Sequence, residues 1–346
     1  MRKNIVLNCN DELSTKIAML RTTNTSSNSA SSINTRSSPA TNTTHWCVVE
    51  NKLISRVSDQ YFNHFPHASE VLLPCWSHFY EEGVIDNCGI DLRLTRKNGK
   101  NSVSPWVKQL IVDVMQCALR EKDDTHEIAE GDTEYKPNLY EMHPRFEYIR
   151  YLNSPEHAHA LRRRIIGDND IYKVKGKGKP LQIGMIQRPK GRRVANMEEI
   201  RDALKQALPD ANINVTNFEF KTLKEQAWYF ASKDIIISPH GAALTNSIFI
   251  TPKTIVLQMH ISGLFWQSLE PLIEQSGGIA LDWYDHNGGN PDIKYATSNW
   301  TGRAQAQRSS FVVPPEEIVE RILLILGHKP AKRTVLNRLF GNSTVI

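Results

Sequence analysis

Residues 234–246 read Asp234-Ile235-Ile236-Ile237-Ser238-Pro239-His240-Gly241-Ala242-Ala243-Leu244-Thr245-Asn246, and this stretch decides the fold. A short unbroken apolar run bounded by polar residues suits a central strand of a parallel sheet, covered on both faces. Gly241, Ala242 and Ala243 follow it. Residues with so little side chain let a ligand approach the backbone closely, and their N–H groups open the next helix. His240, Thr245 and Asn246 place hydrogen-bonding side chains around the same turn. Two readings stand: a cradle for a diphosphate, or a tight strand-to-helix turn whose small residues serve packing.

Outward from this turn, strand and helix alternate. Leu181 to Ile186 reads as a buried strand. Asn196, with Glu199 three residues on, predicts a capping box, and Ile200, Ala203, Leu204, Ala207 and Leu208 recur on one helical face. Ile213 to Phe220 alternates like a strand, and Thr222 with Glu225 opens a second helix through Phe230. Downstream lie a strand at Thr254 to Met259, a helix through Leu264 to Ile273 and a strand near Ile279 to Trp283. A last helix begins at Pro314-Pro315-Glu316-Glu317 and ends at Gly327. Such alternation is the pattern of a doubly wound parallel α/β sheet. These sheets bind ligands beyond the carboxyl ends of their strands.

A basic loop, Gln187-Arg188-Pro189-Lys190-Gly191-Arg192-Arg193, follows the first strand of this region, so its cations belong to the same sheet edge. Arginine meets phosphate oxygens through a planar fork. One basic loop alone is commonly solvated surface; a second site at a strand end of the same sheet favours binding.

Together the segments Lys224-Glu225-Gln226, Ala231 to Ile237, Pro239 to Asn246 and Phe249-Ile250-Thr251-Pro252 resemble glycosyltransferase family 61. Arg188, Gly191-Arg192-Arg193 and Asn196 are similar to that family's arginine loop. The resemblance covers residues 180–260 well, is weaker over 45–170 and is absent before 45. It implies a GT-B-like architecture of two Rossmann-like halves, with inverting transfer of a sugar (GlcNAc, xylose or arabinose) from a UDP-sugar donor to a protein or polysaccharide hydroxyl. Arg188 and Arg192 would then meet the diphosphate, beside Gly241, Ala242 and Ala243. His240, Thr245 and Asn246 would line the nucleotide or sugar pocket. The family usually has Gly where Ala243 stands. An inverting displacement needs a base near the acceptor hydroxyl. Asp86, Asp91 and His143 are the candidates from the N-terminal half, each also readable as ordinary surface or structure. A non-catalytic nucleotide-sugar or glycan-binding relative is the alternative, motivated by the short N-terminal half.

The rest of the chain divides around these motifs. Within 1–44, residues 22–44 hold 18 Ser, Thr or Asn in 23 positions, too little apolar surface to offset ordering; the expectation is a disordered tether. On the resemblance, residues 45–172, with an aromatic-rich core, would be the acceptor-side domain. Lys173 to Pro180 alternates Lys with Gly and reads as a solvated linker. The resemblance implies that residues 181–330 are the nucleotide-sugar domain, with 331–346 a tail.

The 346 residues carry Lys+Arg 42 against Asp+Glu 37, a mild, spread excess that suits an anionic small molecule as well as nucleic acid; the family resemblance implies no nucleic-acid partner. No stretch approaches the roughly 18 apolar residues of a membrane span. The family implies the Golgi or ER lumen, so membrane attachment would need an anchor absent from this sequence. Asp168-Asn169-Asp170 has the form of a metal motif but reads first as a turn, and His157 with His159 lacks partners at metal-ligand spacing. No cofactor is required on this reading, the divalent metal being open. Cys9, Cys47, Cys75, Cys88 and Cys117 leave buried thiols and two disulfides among the last four equally open. Asn24, Asn42, Asn214, Asn299 and Asn342 begin N-x-S/T sequons. Phosphate-loop, dinucleotide, zincin and hydrolase-elbow motifs are missing, which excludes those easy assignments.

Overall fold

Continuous apolar runs become parallel strands in two sheets. The computed structural model describes residues 43–50, 65–93, 104–121, 132–136, 141–143, 146–148, 151–167, 171–262, 264, 269–285 and 306–328. The first sheet comes from β1 (His45–Glu50), β2 (Cys88–Arg93), β3 (Ala118–Glu121) and β4 (Thr133–Tyr135), all parallel in the order β3-β2-β1-β4. Helix α1 (Phe65–Glu81) links β1 to β2, and α2 (Pro105–Lys108) runs into a π-helical turn (Gln109–Val114) before β3. Cys47–Cys75 ties β1 to α1, and Cys88–Cys117 ties the start of β2 to the approach to β3. An antiparallel pair, β5 (Glu141–His143) and β6 (Phe146–Tyr148), precedes α3 (Pro155–Ile166) and α4 (Ile171–Val174).

The second sheet is the one expected from residues 181–284. Its strands are β7 (Gln182–Ile186), β9 (Asn212–Thr216), β10 (Ile235–Pro239), β11 (Ile255–His260) and β12 (Ile279–Tyr284). They are parallel in the order β12-β11-β10-β7-β9. The chain therefore runs outward from β7 to β9, returns, and proceeds the other way from β10. This reversal between β7 and β10 is a topological switch point, where loops diverge and leave a crevice at the carboxyl ends. The connections are α5 (Met197–Ala207), α6 (Leu223–Ala231), a 3-10 helix (Ala242–Phe249) and α7 (Glu270–Gln275). A two-residue strand, β8 (Arg193–Val194), pairs in parallel with β13 (Ser310–Phe311).

Chain contacts divide into a unit Asn42–Glu316, which holds both sheets, and a unit of Met1–Thr41 with Glu317–Ile346. The described part of the latter is the end of α8 (Pro315–Ile325), closed by Gly327 at φ 83° as the sequence anticipated. Within the larger unit one apolar core runs from Val49, Trp76 and Ile90 through Leu161 of α3 to Ile236, Val256 and Leu272. Trp76 Nε1 donates to the His157 carbonyl (2.9 Å), and the Tyr151 and Leu152 amides donate to Gln275 Oε1 (2.7 and 2.9 Å). One of these bonds ties α3 to α1, and the other two tie the segment leading into α3 to α7.

Several local expectations change. β9 ends at Thr216, because Phe218 turns inward onto Tyr229 (ring centroids 5.4 Å, edge-on), leaving Phe220 exposed. The helix expected from Leu264 begins at Glu270, with Pro271 in its first turn. Thr222 and Glu225 form the full capping box. Asn196 holds the N-cap position of α5 but makes no cap bond, since its side chain is engaged elsewhere. His157 and His159 lie at the start of helix α3, where residues two apart face different directions, and His157 is buried. Of the Lys/Gly stretch, Lys175 is not solvated: its Nζ donates to the Lys233 carbonyl (2.6 Å), Thr251 Oγ1 and Thr254 Oγ1 (2.9 Å). Residues 1–42, with the expected tether, and 329–346 lie outside the described residues, as do Asp168, Asp170 and Cys9.

Candidate functional site

The two motifs singled out in the sequence flank the switch point. The loop 187–193 leaves the carboxyl end of β7, and His240-Gly241 leaves that of β10, its immediate neighbour. They meet at Gly241. A Cβ there would collide with Nη1 of Arg188 and come within 3.6 Å of Nη2 of Arg192. The bare backbone of Gly241 therefore admits a guanidinium pair, and its extended φ shows that space, not conformation, requires glycine.

Both guanidiniums are half-buried. Burial lowers the pKa of each; in Arg192 the neighbouring Arg188 adds to the effect, to about 10. Among the described residues no carboxylate opposes these shifts. Arg192 Nε is buried without a hydrogen-bond partner among them. Two like charges held together, half-buried and without a counter-ion among the described residues, suit an anion.

The loop is built to hold this pair. Arg188 Nε donates to the Gly191 carbonyl (2.8 Å) and the Arg188 amide to Gln187 Oε1 (2.9 Å). Gln187 Nε2 in turn donates to the Val194 carbonyl (2.7 Å). A strap from residues 307–313 closes over the loop. The Arg192 amide donates to the Ser309 carbonyl (2.7 Å) and the Ala195 amide to that of Phe311 (2.8 Å). Asn196 binds Val313 reciprocally: Nδ2 donates to its carbonyl (2.8 Å), and its amide donates to Oδ1 (3.0 Å). Phe311 stacks on Trp283 of β12 (6.1 Å), so the strap is anchored to the main sheet. Gly191 sits at φ 53° against the Gln307 carbonyl, and Arg192 itself is left-handed at φ 51°. A non-glycine residue in that region carries strain of roughly 1 kcal/mol.

His240 extends the site along the rim. Its Nδ1 lies 3.2 Å from Gln258 Oε1, and its ring stacks on His260 (5.1 Å), which stacks on Tyr284 (5.1 Å). His260 and Tyr284 end β11 and β12 in register, and His240 directly follows the last residue of β10. His260 Nε2 lies 2.8 Å from Asp282 Oδ1. Burial, with His260 and Arg192 nearby, holds His240 at a pKa of about 3, so its imidazole is neutral at physiological pH. Gln258, His260, Asp282 and Tyr284 escaped the sequence reading. The signal was polar side chains at the carboxyl end of a strand otherwise apolar on both faces.

The other predicted residues are placed as follows. Ala242 and Ala243 begin the 3-10 helix, partly exposed. Thr245 and Asn246 are buried one turn in; Asn246 Nδ2 donates to Gln226 Oε1 (2.8 Å) and the Ala243 carbonyl (3.0 Å). Thr245 Oγ1 and Asn246 Oδ1 have no partner among the described residues. Asp86 is 89% exposed in its side chain and pairs with Arg164 (2.6 Å). Asp91 is buried in β2 and pairs with Arg93 (3.0 Å). His143 lies on β5, and its side chain is outside what is described. No group of three His, Cys, Asp or Glu among the described residues could hold a metal ion, and no described helix is long and apolar enough to cross a membrane.

Residues 103–257 match the family model described as Glycosyltransferase 61. The resemblance read from the sequence is borne out, and the matched span includes the arginine loop, β10 and the Gly241 turn. The chain is also 23% identical over 137 residues to the EGF domain-specific O-linked N-acetylglucosamine transferase of Xenopus laevis. That alignment covers 36% of this chain and 26% of the relative, so the chain spans about a quarter of the relative's length.

Proposed function

We propose that this chain transfers a sugar from a UDP-sugar to a hydroxyl acceptor, with inversion, on a GT-B-like frame of two Rossmann-like halves. One observation carries the reading: two half-buried guanidiniums without a carboxylate among the described residues, meeting over Gly241 at the switch point. A diphosphate supplies the missing charge. As the glycosidic bond to UDP breaks, negative charge grows on the leaving oxygen. Fixed guanidiniums and turn N–H groups stabilise that state more than the ground state. Neutral His240 supports the pocket wall without competing for the phosphate.

The relative's name makes UDP-N-acetylglucosamine the first donor to test, ahead of UDP-xylose and UDP-arabinose, with a protein hydroxyl ahead of a polysaccharide. Two disulfides support a lumenal, secretory-pathway setting. Isothermal calorimetry with UDP tests the site. The wild-type chain should bind, and Arg188→Ala and Arg192→Ala should each weaken binding. No binding by the wild type, or wild-type affinity in both variants, refutes the assignment. UDP binding without transfer to any hydroxyl acceptor across a donor screen would favour the non-catalytic alternative.

A further inference from the structure

Asn214-Val215-Thr216 is the one sequon whose asparagine lies among the described residues. It occupies β9, an outer strand of the large sheet. On its inner side Asn214 registers with Gly184 of β7. Its side chain is exposed, beside an open polar cleft of about 410 Å³ lined by Gln182, Lys205, Asn212 and Lys233 among others. The Tyr229 hydroxyl donates to the Asn214 carbonyl (3.3 Å), which fixes the backbone and leaves the carboxamide outward.

An outer strand presents a row of unpaired backbone groups that can recruit another chain, and proteins guard such edges with charges, proline, bulges or brevity. β9 reads Asn-Ile-Asn-Val-Thr, with no charge and no proline, and registers with β7 over all five residues without a bulge. The other outer strands differ. β3 carries Arg120 and Glu121, β4 is three residues long with Glu134, and β12 carries Asp282. Among the described outer strands of the two large sheets, the one without such a guard carries a sequon. Two disulfides independently indicate folding in the oxidising compartment where sequons are modified.

We propose that Asn214 is an N-glycosylation site and that its glycan covers the β9 edge. The donor class is a lipid-linked oligosaccharide diphosphate, acted on by the host's transferase. The Asn214 carboxamide nitrogen forms a bond to C1 of the first sugar and gives up one proton. The bond from C1 to the phosphate oxygen breaks, and the lipid diphosphate leaves with the electron pair.

The full chain, directed into a eukaryotic secretory pathway, should yield a glycopeptide at Asn214. Peptide N-glycosidase should convert that position to aspartate, read by peptide mass. The glycopeptide should persist in Thr216→Ser and vanish in Thr216→Ala and Asn214→Gln. An unmodified Asn214 peptide in disulfide-bonded product overturns the site. In light scattering, Asn214→Gln should self-associate at concentrations where the glycosylated chain is monodisperse, and Asn214→Lys should restore monodispersity. Equal behaviour of the glycosylated and Asn214→Gln chains overturns the shielding role. Both outcomes are independent of whether UDP binds.

Discussion

The two parallel sheets use their polar groups in opposite ways. In the small sheet charges are answered locally: Asp91 by Arg93, Asp86 by Arg164, and Asp132 by the Thr44 amide and Trp46 Nε1 (both 2.8 Å). Arg120 lies over the Trp46 ring at 3.6 Å. Two disulfides complete that self-contained arrangement. At the switch point of the large sheet no carboxylate among the described residues gives Arg188 and Arg192 such an answer. Internal compensation marks a scaffold; charge left open in a half-buried crevice marks a place where something else must supply the opposite sign.

The contrast can be broken most severely at the disulfides. Cys47→Ser with Cys75→Ser should lower unfolding stability by about 3 kcal/mol, since the bridge closes a loop of 28 residues. UDP affinity measured below the new Tm should be unchanged; a matching loss of affinity would mean the sheets do not divide their tasks. At the other sheet, Arg192→Ala should weaken UDP roughly 10- to 100-fold by calorimetry, the loss expected for a charge-assisted hydrogen bond. Asp91→Ala should lower Tm and leave UDP affinity alone.

Asn196→Ala tests the strap that braces the arginine loop, since Asn196 binds Val313. It strands the amide and carbonyl of Val313, at a cost of roughly 1–3 kcal/mol. Unlike Asp91→Ala it should also weaken UDP, with faster hydrogen exchange at the Arg192 and Ala195 amides. pH separates the contributions further. The His240 pKa is about 3 when folded against 6.5 ordinarily, so below pH 6.5 the unfolded chain takes up the proton first. Stability should therefore fall as pH drops from 6.5 towards 3, and His240→Gln should flatten that slope in denaturant titrations. The smallest effect is expected from Arg192→Gly. Relief of the left-handed backbone should raise stability by about 1 kcal/mol over Arg192→Ala, while the loss of UDP affinity matches it.

Much of this was legible because it is local. The isoleucine run of β10, the strand at β7, the Thr222–Glu225 box and the arginine loop each follow from residues adjacent in sequence. What the sequence concealed depends on partners far along the chain. Asn196 has the spacing of a cap, yet Val313, 117 positions away, takes its side chain. Lys175 sits in a stretch that looks solvated, but the carbonyl of Lys233 and two threonine hydroxyls draw it inward. The His240–His260–Tyr284 column emerges only when three strands align in register. Nor does the sequence show that the space beside Gly241 is where Arg188 approaches.

The reach from Asn196 to Val313 has a consequence for biosynthesis. During translation β7 and the cationic loop that follows it emerge well before Val313 is made. The pincer takes shape only after another 117 residues have been added and the returning segment has clasped it. A nascent chain thus holds the arginine loop before it holds the segment that braces it.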